Sequence, residues 1–175
     1  TGATTPQLLD LFASGRSQNI SVTIPEGKNL FETGKILEQK KICLAKDFIK
    51  AAKSPEFMDK LGIPAARVEG YLFPDTYRFA PNTPAKSVIR TMVNNFNQVS
   101  GNLSFEKSHL TKHQVITLGS IVEKETGAAW ERPRIAGVYL NRLRKNIRLY
   151  ADPTTIYGIW EKFDGNLRKI HLQTK

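Results

Sequence analysis

A single cysteine in 175 residues excludes an internal disulfide. Cys43 lies in the apolar stretch KKICLA, where a small core residue is expected rather than a reactive thiol. No apolar run approaches the ~20 residues that span a bilayer, and no signal-peptide pattern opens the chain. The opening TGATTPQLL carries no initiator Met, which reads as a piece of a longer protein with any anchor outside it. His109, His113 and His171 lack metal-ligand spacing, so they are expected at the surface or in packing, with no metal or cofactor. The sequence also lacks internal repeats, low-complexity tracts and the patterns of zinc fingers, basic zippers and RNA-binding motifs.

What is present suits a globular protein, with 40% hydrophobic and 24% charged residues. Acid is scarce beside base, and the net charge of +10 favours polyanionic partners: nucleic acid, an anionic membrane surface or an anionic wall polymer. Nucleic acid has only the charge behind it and is not expected as a partner.

Along the chain, Thr5 and Pro6 read as a helix start and Gly15 as its stop. NISVTI, residues 19–24, alternates like a half-buried strand, and PEG turns it into a helix over Leu30–Gln39 that gathers Leu30, Ile36 and Leu37. A second helix is expected near Lys46–Ala52, and residues 54–64 read as a break and connector. This strand–helix–helix unit has no nucleophile or ligand cluster and looks structural or binding. From Val68 the character changes: VEGYLFPDTYRFAPNTP packs aromatics and prolines around Asp75, an irregular aromatic rim with strand pieces near Tyr71 and Tyr77. A helix over Ala85–Val99 follows, with Val88, Ile89, Met92, Val93 and Phe96 at helical spacing. Thr111 and Gln114 form a capping box for a helix ending near Thr126, with Gly127 as its stop. Another helix spans Trp130–Lys145 with Pro133 in its first turn, and RLYADPTTIYGIW reads as loop and turn. The tail HLQTK shows no terminal element.

Two acidic residues in EKET invite chemistry. Val115, Leu118, Ile121 and Val122 make one apolar stripe, and Glu125 falls inside it, while Glu123 sits to the side near Ile116, Gly119 and Ser120. Those small neighbours suggest that Glu123 faces another backbone. A carboxylate on an apolar stripe is costly to desolvate. Burial and the helix dipole at the last turn would both oppose its ionisation, which suits a general acid. Arg132, Arg134 or Arg142 as an ion-pair partner would instead make Glu125 structural. Both readings stand at this point.

VEGYLFPDTYRF, LGSIVEKET, ERPRIAGVYLNRL and DPTTIYG, in this order and preceded by VTIPEG, resemble the endolytic murein transglycosylase (MltG/YceG-like) family. The resemblance runs from about residue 6 to 173 and implies that Glu125, the second acidic position of EKET, is catalytic. It implies an α+β fold in two lobes: a small, partial LysM-like β/α module over 1–67, and a mainly helical catalytic lobe with short strands over 68–175. A cleft is expected between the Glu125 helix and the aromatic rim, and its carboxy-terminal part would be missing. The implied reaction cleaves the β-1,4 bond between N-acetylmuramic acid and N-acetylglucosamine within peptidoglycan strands. It leaves 1,6-anhydro-muramic ends and uses one glutamate as acid and then base, so no second carboxylate is required. The implied setting is an inner-membrane protein, anchored by a segment absent from this chain, with its catalytic part in the periplasm or extracytoplasmic space. Its implied partners are glycan strands and peptidoglycan synthases.

Substrate contacts are expected from Glu123, Asn141, Arg142, Asp152, Thr155, Tyr157, Tyr71 and Asp75. Asn141 and Arg142 could bind N-acetyl groups or peptide carboxylates, Arg142 could orient Glu125, and Tyr71 and Tyr157 offer sugar-stacking faces. Asp152 and Asp75 read equally as turn residues and either tyrosine as core. Tyr150 stands where the family more often has a polar residue. The competing class is a non-catalytic peptidoglycan-binding module in which Glu125 is structural.

Overall fold

The computed structural model describes residues 4–6, 19–103 and 109–173. The helix expected from Thr5 to Gly15 falls mostly outside them. The fold is α+β and mostly helical, and the chain divides after Leu103 into two compact units. The boundary expected at residues 67/68 is corrected: β1 (Ile20–Thr23) pairs antiparallel with β2 (Thr76–Phe79), which ties both sides of it into one body.

In the first unit, Val22 faces Tyr77 across the ladder and both point into the core, while the Thr23 and Thr76 hydroxyls share a 2.8 Å hydrogen bond outside. Helix α1 (Leu30–Gln39) starts at a capping box, with the Asn29 side chain accepting from the Glu32 amide and Glu32 reaching back to the Asn29 amide. It packs on α2 (Ala45–Ala52), where Gly34 leaves room for the Phe48 ring and Ala45. The expected connector over 54–64 contains a helix, α3 (Pro55–Leu61), with Pro55 at its start and Gly62 in the left-handed conformation at its end. Those punctuating residues bound a short helix rather than a loop. α4 (Ala85–Ser100) lies against α2 and buries Val88, Ile89, Met92 and Val93 beside Leu30, Leu37, Ile42, Phe48, Phe57 and Met58.

The second unit is built on α5 (Lys112–Glu125), capped by Thr111 and Gln114, and α6 (Arg132–Arg144), which has a Pro in its first turn. The stretch read as loop holds α7 (Asp152–Gly158), and the tail holds a Trp160–Lys162 3-10 turn and α8 (Lys169–Gln173). α7 packs on α5, and Pro153 starts it as Pro133 starts α6. Ile121, Val122, Tyr139 and Ala151 form the core of this unit, with Leu118, Ile135, Ala136 and Leu149 around it.

Candidate active site

Glu125 is the last helical residue of α5. Thr126 leaves the helix in extended conformation (φ −146°, ψ 139°), so Thr126 itself, and not Gly127, ends α5. The stripe is buried at Ile121 and Val122, but Glu125 is exposed and does not continue the buried stripe. The reason is its place: one turn past Ile121, the helix has run out of the packing that covers its middle.

What Glu125 meets is Tyr139. This tyrosine is 5% exposed on α6, and its phenol hydrogen-bonds Glu125. Burial, that bond and the charges of Glu125 and Asp152 push the Tyr139 phenol up to about 12, against the pull of the Arg142 guanidinium. Tyr139 therefore stays protonated throughout the physiological range and is a fixed donor to Glu125. Arg142, one turn further on, lies 5.9 Å from the centre of the Tyr139 ring and donates from Nη1 to the Leu149 carbonyl. It thus braces the donor and also holds the segment that leads into Ala151 and Asp152. Its link to Glu125 runs through Tyr139. Tyr139 was not singled out from sequence, although Ile135, Tyr139 and Arg142 at i, i+4 and i+7 mark one face of α6, and a buried tyrosine needs a partner for its hydroxyl.

Glu123 faces Arg132 rather than another backbone. Its Oε2 lies 3.1 Å from the Arg132 guanidinium, a partly exposed ion pair that ties α5 to α6. Between these contacts, the Thr126 hydroxyl donates to Glu131 Oε2 at 2.6 Å and accepts from the Ala128 amide at 3.0 Å. Asp152 opens α7, exposed, and Asn141 is exposed on α6. Thr155 and Tyr157 are half-buried on α7.

Two expected substrate contacts belong to the first unit and act structurally there. Tyr71 is 4% exposed, with its ring edge-on to Phe96 at 5.2 Å, so it offers no stacking face. Asp75 accepts from the Thr76 amide at 2.7 Å and from Asn95 Nδ2 at 2.8 Å, holding the entry to β2. Tyr77 donates to the Phe73 carbonyl at 2.6 Å, which closes the same turn. Cys43 is half-buried rather than core, and burial with the charges of Asp47 and Glu38 pushes its thiol up to about 11.

A profile of the YceG-like family matches residues 1–175. The chain belongs to the YceG-like family. A Bacillus subtilis relative named endolytic murein transglycosylase is 35% identical over 105 residues, covering 58% of this chain and 29% of that protein. A Streptococcus pneumoniae (serotype 2, strain D39) relative of the same name is 30% identical over 163 residues, covering 79% of this chain and 29% of its own length. The chain thus spans 29% of the length of these curated relatives. The crystal structure of a yceG-like protein from Listeria monocytogenes matches with a TM-score of 0.78 at 25% identity, over 99% of this chain and 63% of that one. Within this family setting, Glu125 is a carboxylate of the second unit that is exposed and meets a buried tyrosine on a neighbouring helix.

Proposed function

We propose that this chain carries the reacting carboxyl of an endolytic lytic transglycosylase. The enzyme cuts the β-1,4 bond between N-acetylmuramic acid and N-acetylglucosamine inside peptidoglycan strands and leaves 1,6-anhydro-muramic ends. The observation that carries the reading is Glu125, exposed at the end of α5 and hydrogen-bonded by Tyr139, in a family whose relatives bear the transglycosylase name. An exposed carboxyl can reach a polymer laid over the helix end, and the bound strand then takes the place of its water.

The steps balance without a second carboxylate. Protonated Glu125 gives its proton to the glycosidic oxygen as the bond to the muramic C1 breaks, and positive charge develops on the ring. The 6-hydroxyl of the same sugar attacks C1 and closes the anhydro bridge, and the Glu125 carboxylate takes the hydroxyl proton. No water is consumed, unlike the two-carboxylate hydrolysis of ordinary glycosidases. Asp152, whose charge is felt at Tyr139, is a source of negative potential for the developing cation. Asn141, Thr155 and Tyr157 supply polar and flat surface for N-acetyl groups and sugar faces, Arg142 for carboxylates of the peptide stems, and Glu123 helps through its hold on Arg132.

The strand–helix–helix part of the first unit fits a LysM-like glycan-gripping role in a two-lobed protein. The net charge of +10 suits residence beside anionic lipid and wall polymer, with the catalytic part outside the cytoplasm. The reading includes membrane attachment; no helix among the described residues is long and apolar enough to cross a membrane. Peptidoglycan synthases, which make the strands, are the proposed protein partners.

Digestion of purified sacculi with wild type and Glu125→Gln, with products resolved by mass, tests the reading. Anhydro-muramic ends from wild type alone are expected. Reducing ends would mean hydrolysis by water, and sacculus binding without any product would mean a binding module.

A further inference from the structure

We propose that Thr126 and Glu131 are positioning residues for Glu125, through a hydroxyl–carboxylate clasp that closes the turn between α5 and α6. The proposal rests on the reading of Glu125 as the reacting carboxyl. Neither clasp residue is a candidate for substrate contact; both are half-buried within the turn.

The last turn of a helix leaves its final carbonyls without partners in the helix and frays readily. A reacting side chain on the last helical residue is therefore poorly placed unless something else fixes the exit. Here Thr126 turns into extended backbone directly after Glu125, and its hydroxyl is used twice. It donates to Glu131 Oε2 at 2.6 Å and accepts from the Ala128 amide at 3.0 Å. The first bond is short and made to a carboxyl oxygen.

Glu131 also spends an opportunity. It occupies the cap position of α6, where a side-chain oxygen commonly accepts from the free amides of the helix's own first turn. It makes no such bond. Its main-chain carbonyl accepts from the Arg134 and Ile135 amides, while its carboxylate turns back to Thr126. Three positions at the end of α5 are thereby tied to α6 and its cap: Glu123 to Arg132, Glu125 to Tyr139 and Thr126 to Glu131. The first of these is partly exposed and contributes little. The clasp fixes the backbone at the point where the helix ends, and with it the direction in which Glu125 leaves its Cα. A shift of about 1 Å at a reacting group can cost on the order of 100-fold in rate.

The test compares Thr126→Val, Thr126→Ser, Glu131→Ala and Glu125→Gln in the whole protein, by kcat and KM on sacculi and by hydrogen exchange at the Ala128 amide. Val is isosteric with Thr and suits extended backbone, so Thr126→Val keeps the fold and loses the clasp. Thr126→Val and Glu131→Ala are expected to lower kcat by about 10- to 100-fold with KM within about twofold, the pattern of an interaction that acts on the transition state. Thr126→Ser, which keeps the hydroxyl, is expected to retain kcat within about threefold. The Ala128 amide is expected to exchange faster in Thr126→Val. The proposal is overturned if Thr126→Val turns over like wild type, if Thr126→Ser falls as far as Thr126→Val, or if the Ala128 amide is unprotected in wild type. Turnover by Glu125→Gln at the wild-type rate would instead remove the reading of Glu125 itself, and the two failures are told apart by that variant.

Discussion

Replacing Tyr139 by Phe takes one oxygen from the second unit and tests whether its contact with Glu125 is an energetic link. A hydrogen bond to a charged group contributes about 1.5–3 kcal/mol when both partners are withdrawn from water. Glu125 is exposed, so its carboxylate regains water when the phenol is gone, and Phe leaves no unsatisfied polar atom in the core. The expected cost therefore drops to about 0.5–1.5 kcal/mol. Tyr139→Ala, which also removes the ring from beside Ile121, Val122 and Ala151, should cost about 3–5 kcal/mol. Both tryptophans, Trp130 and Trp160, lie in the second unit, so intrinsic fluorescence follows its unfolding alone. With an m-value near 1 kcal/mol/M in urea, Tyr139→Phe should move the midpoint down by roughly 1 M. A double-mutant cycle with Glu125→Ala isolates the pair, and a coupling of at least about 0.5 kcal/mol is expected. An additive cycle, within about 0.3 kcal/mol, would refute the link and leave Tyr139 as a core ring with an incidental hydroxyl. The raised phenol adds a pH signature. A folded value of about 12 above an ordinary 10.0 means that this contribution is complete below pH 10 and lost as pH rises through about 12.

Other expectations follow from single positions. Thr33 is 0% exposed in α1 and its hydroxyl has no hydrogen-bond partner among the described residues, so Thr33→Val should stabilise the first unit by about 1 kcal/mol, read as a higher midpoint by circular dichroism; a lower one would show a bond at that hydroxyl. Tyr150 has φ 51° and is 74% exposed; Tyr150→Asn, which tolerates that region better, should raise the midpoint of the second unit by about 0.5–1 kcal/mol. No gain would mean that the ring earns its strain through a contact. At pH 8 Cys43 should react with iodoacetamide about 100-fold more slowly than a thiol of pKa 9.0, since two units separate it from about 11. Rapid alkylation would contradict this. Because the shift is upward, its share of stability is whole below pH 9 and is lost as pH rises through about 11.

Much of the helical framework is legible in local chemistry. Thr111 with Gln114 announces α5 because a capping box is complete within four residues, and the PEG turn followed by Leu30, Ile36 and Leu37 announces α1; the Asn29–Glu32 box at its start emerged from the structure. The apolar spacing in α4 is equally local. α3 and α7 are seven-residue helices bounded by Pro and Gly, the same residues that mark turns, so no apolar period distinguishes them. The two tyrosines show the opposite difficulty. Tyr71 and Tyr139 both stand among apolar neighbours, in GYLF and GVYL, and only packing sets one ring against Phe96 and brings the other to Glu125.

The sequence by itself therefore determines where the longer helices α1, α4 and α5 start, which face of each is apolar, and that Glu125 rather than Glu123 lies on the α5 stripe, because these depend on residues within a turn or two of each other. Tertiary structure alone decides that the stripe ends before it can bury Glu125, and that Arg142 lies against the ring of Tyr139, which meets Glu125. It also decides that β1 pairs with a strand more than 50 residues away. The helical period gives an angle about one axis, and says nothing of which helix stands opposite or how far along it the packing extends.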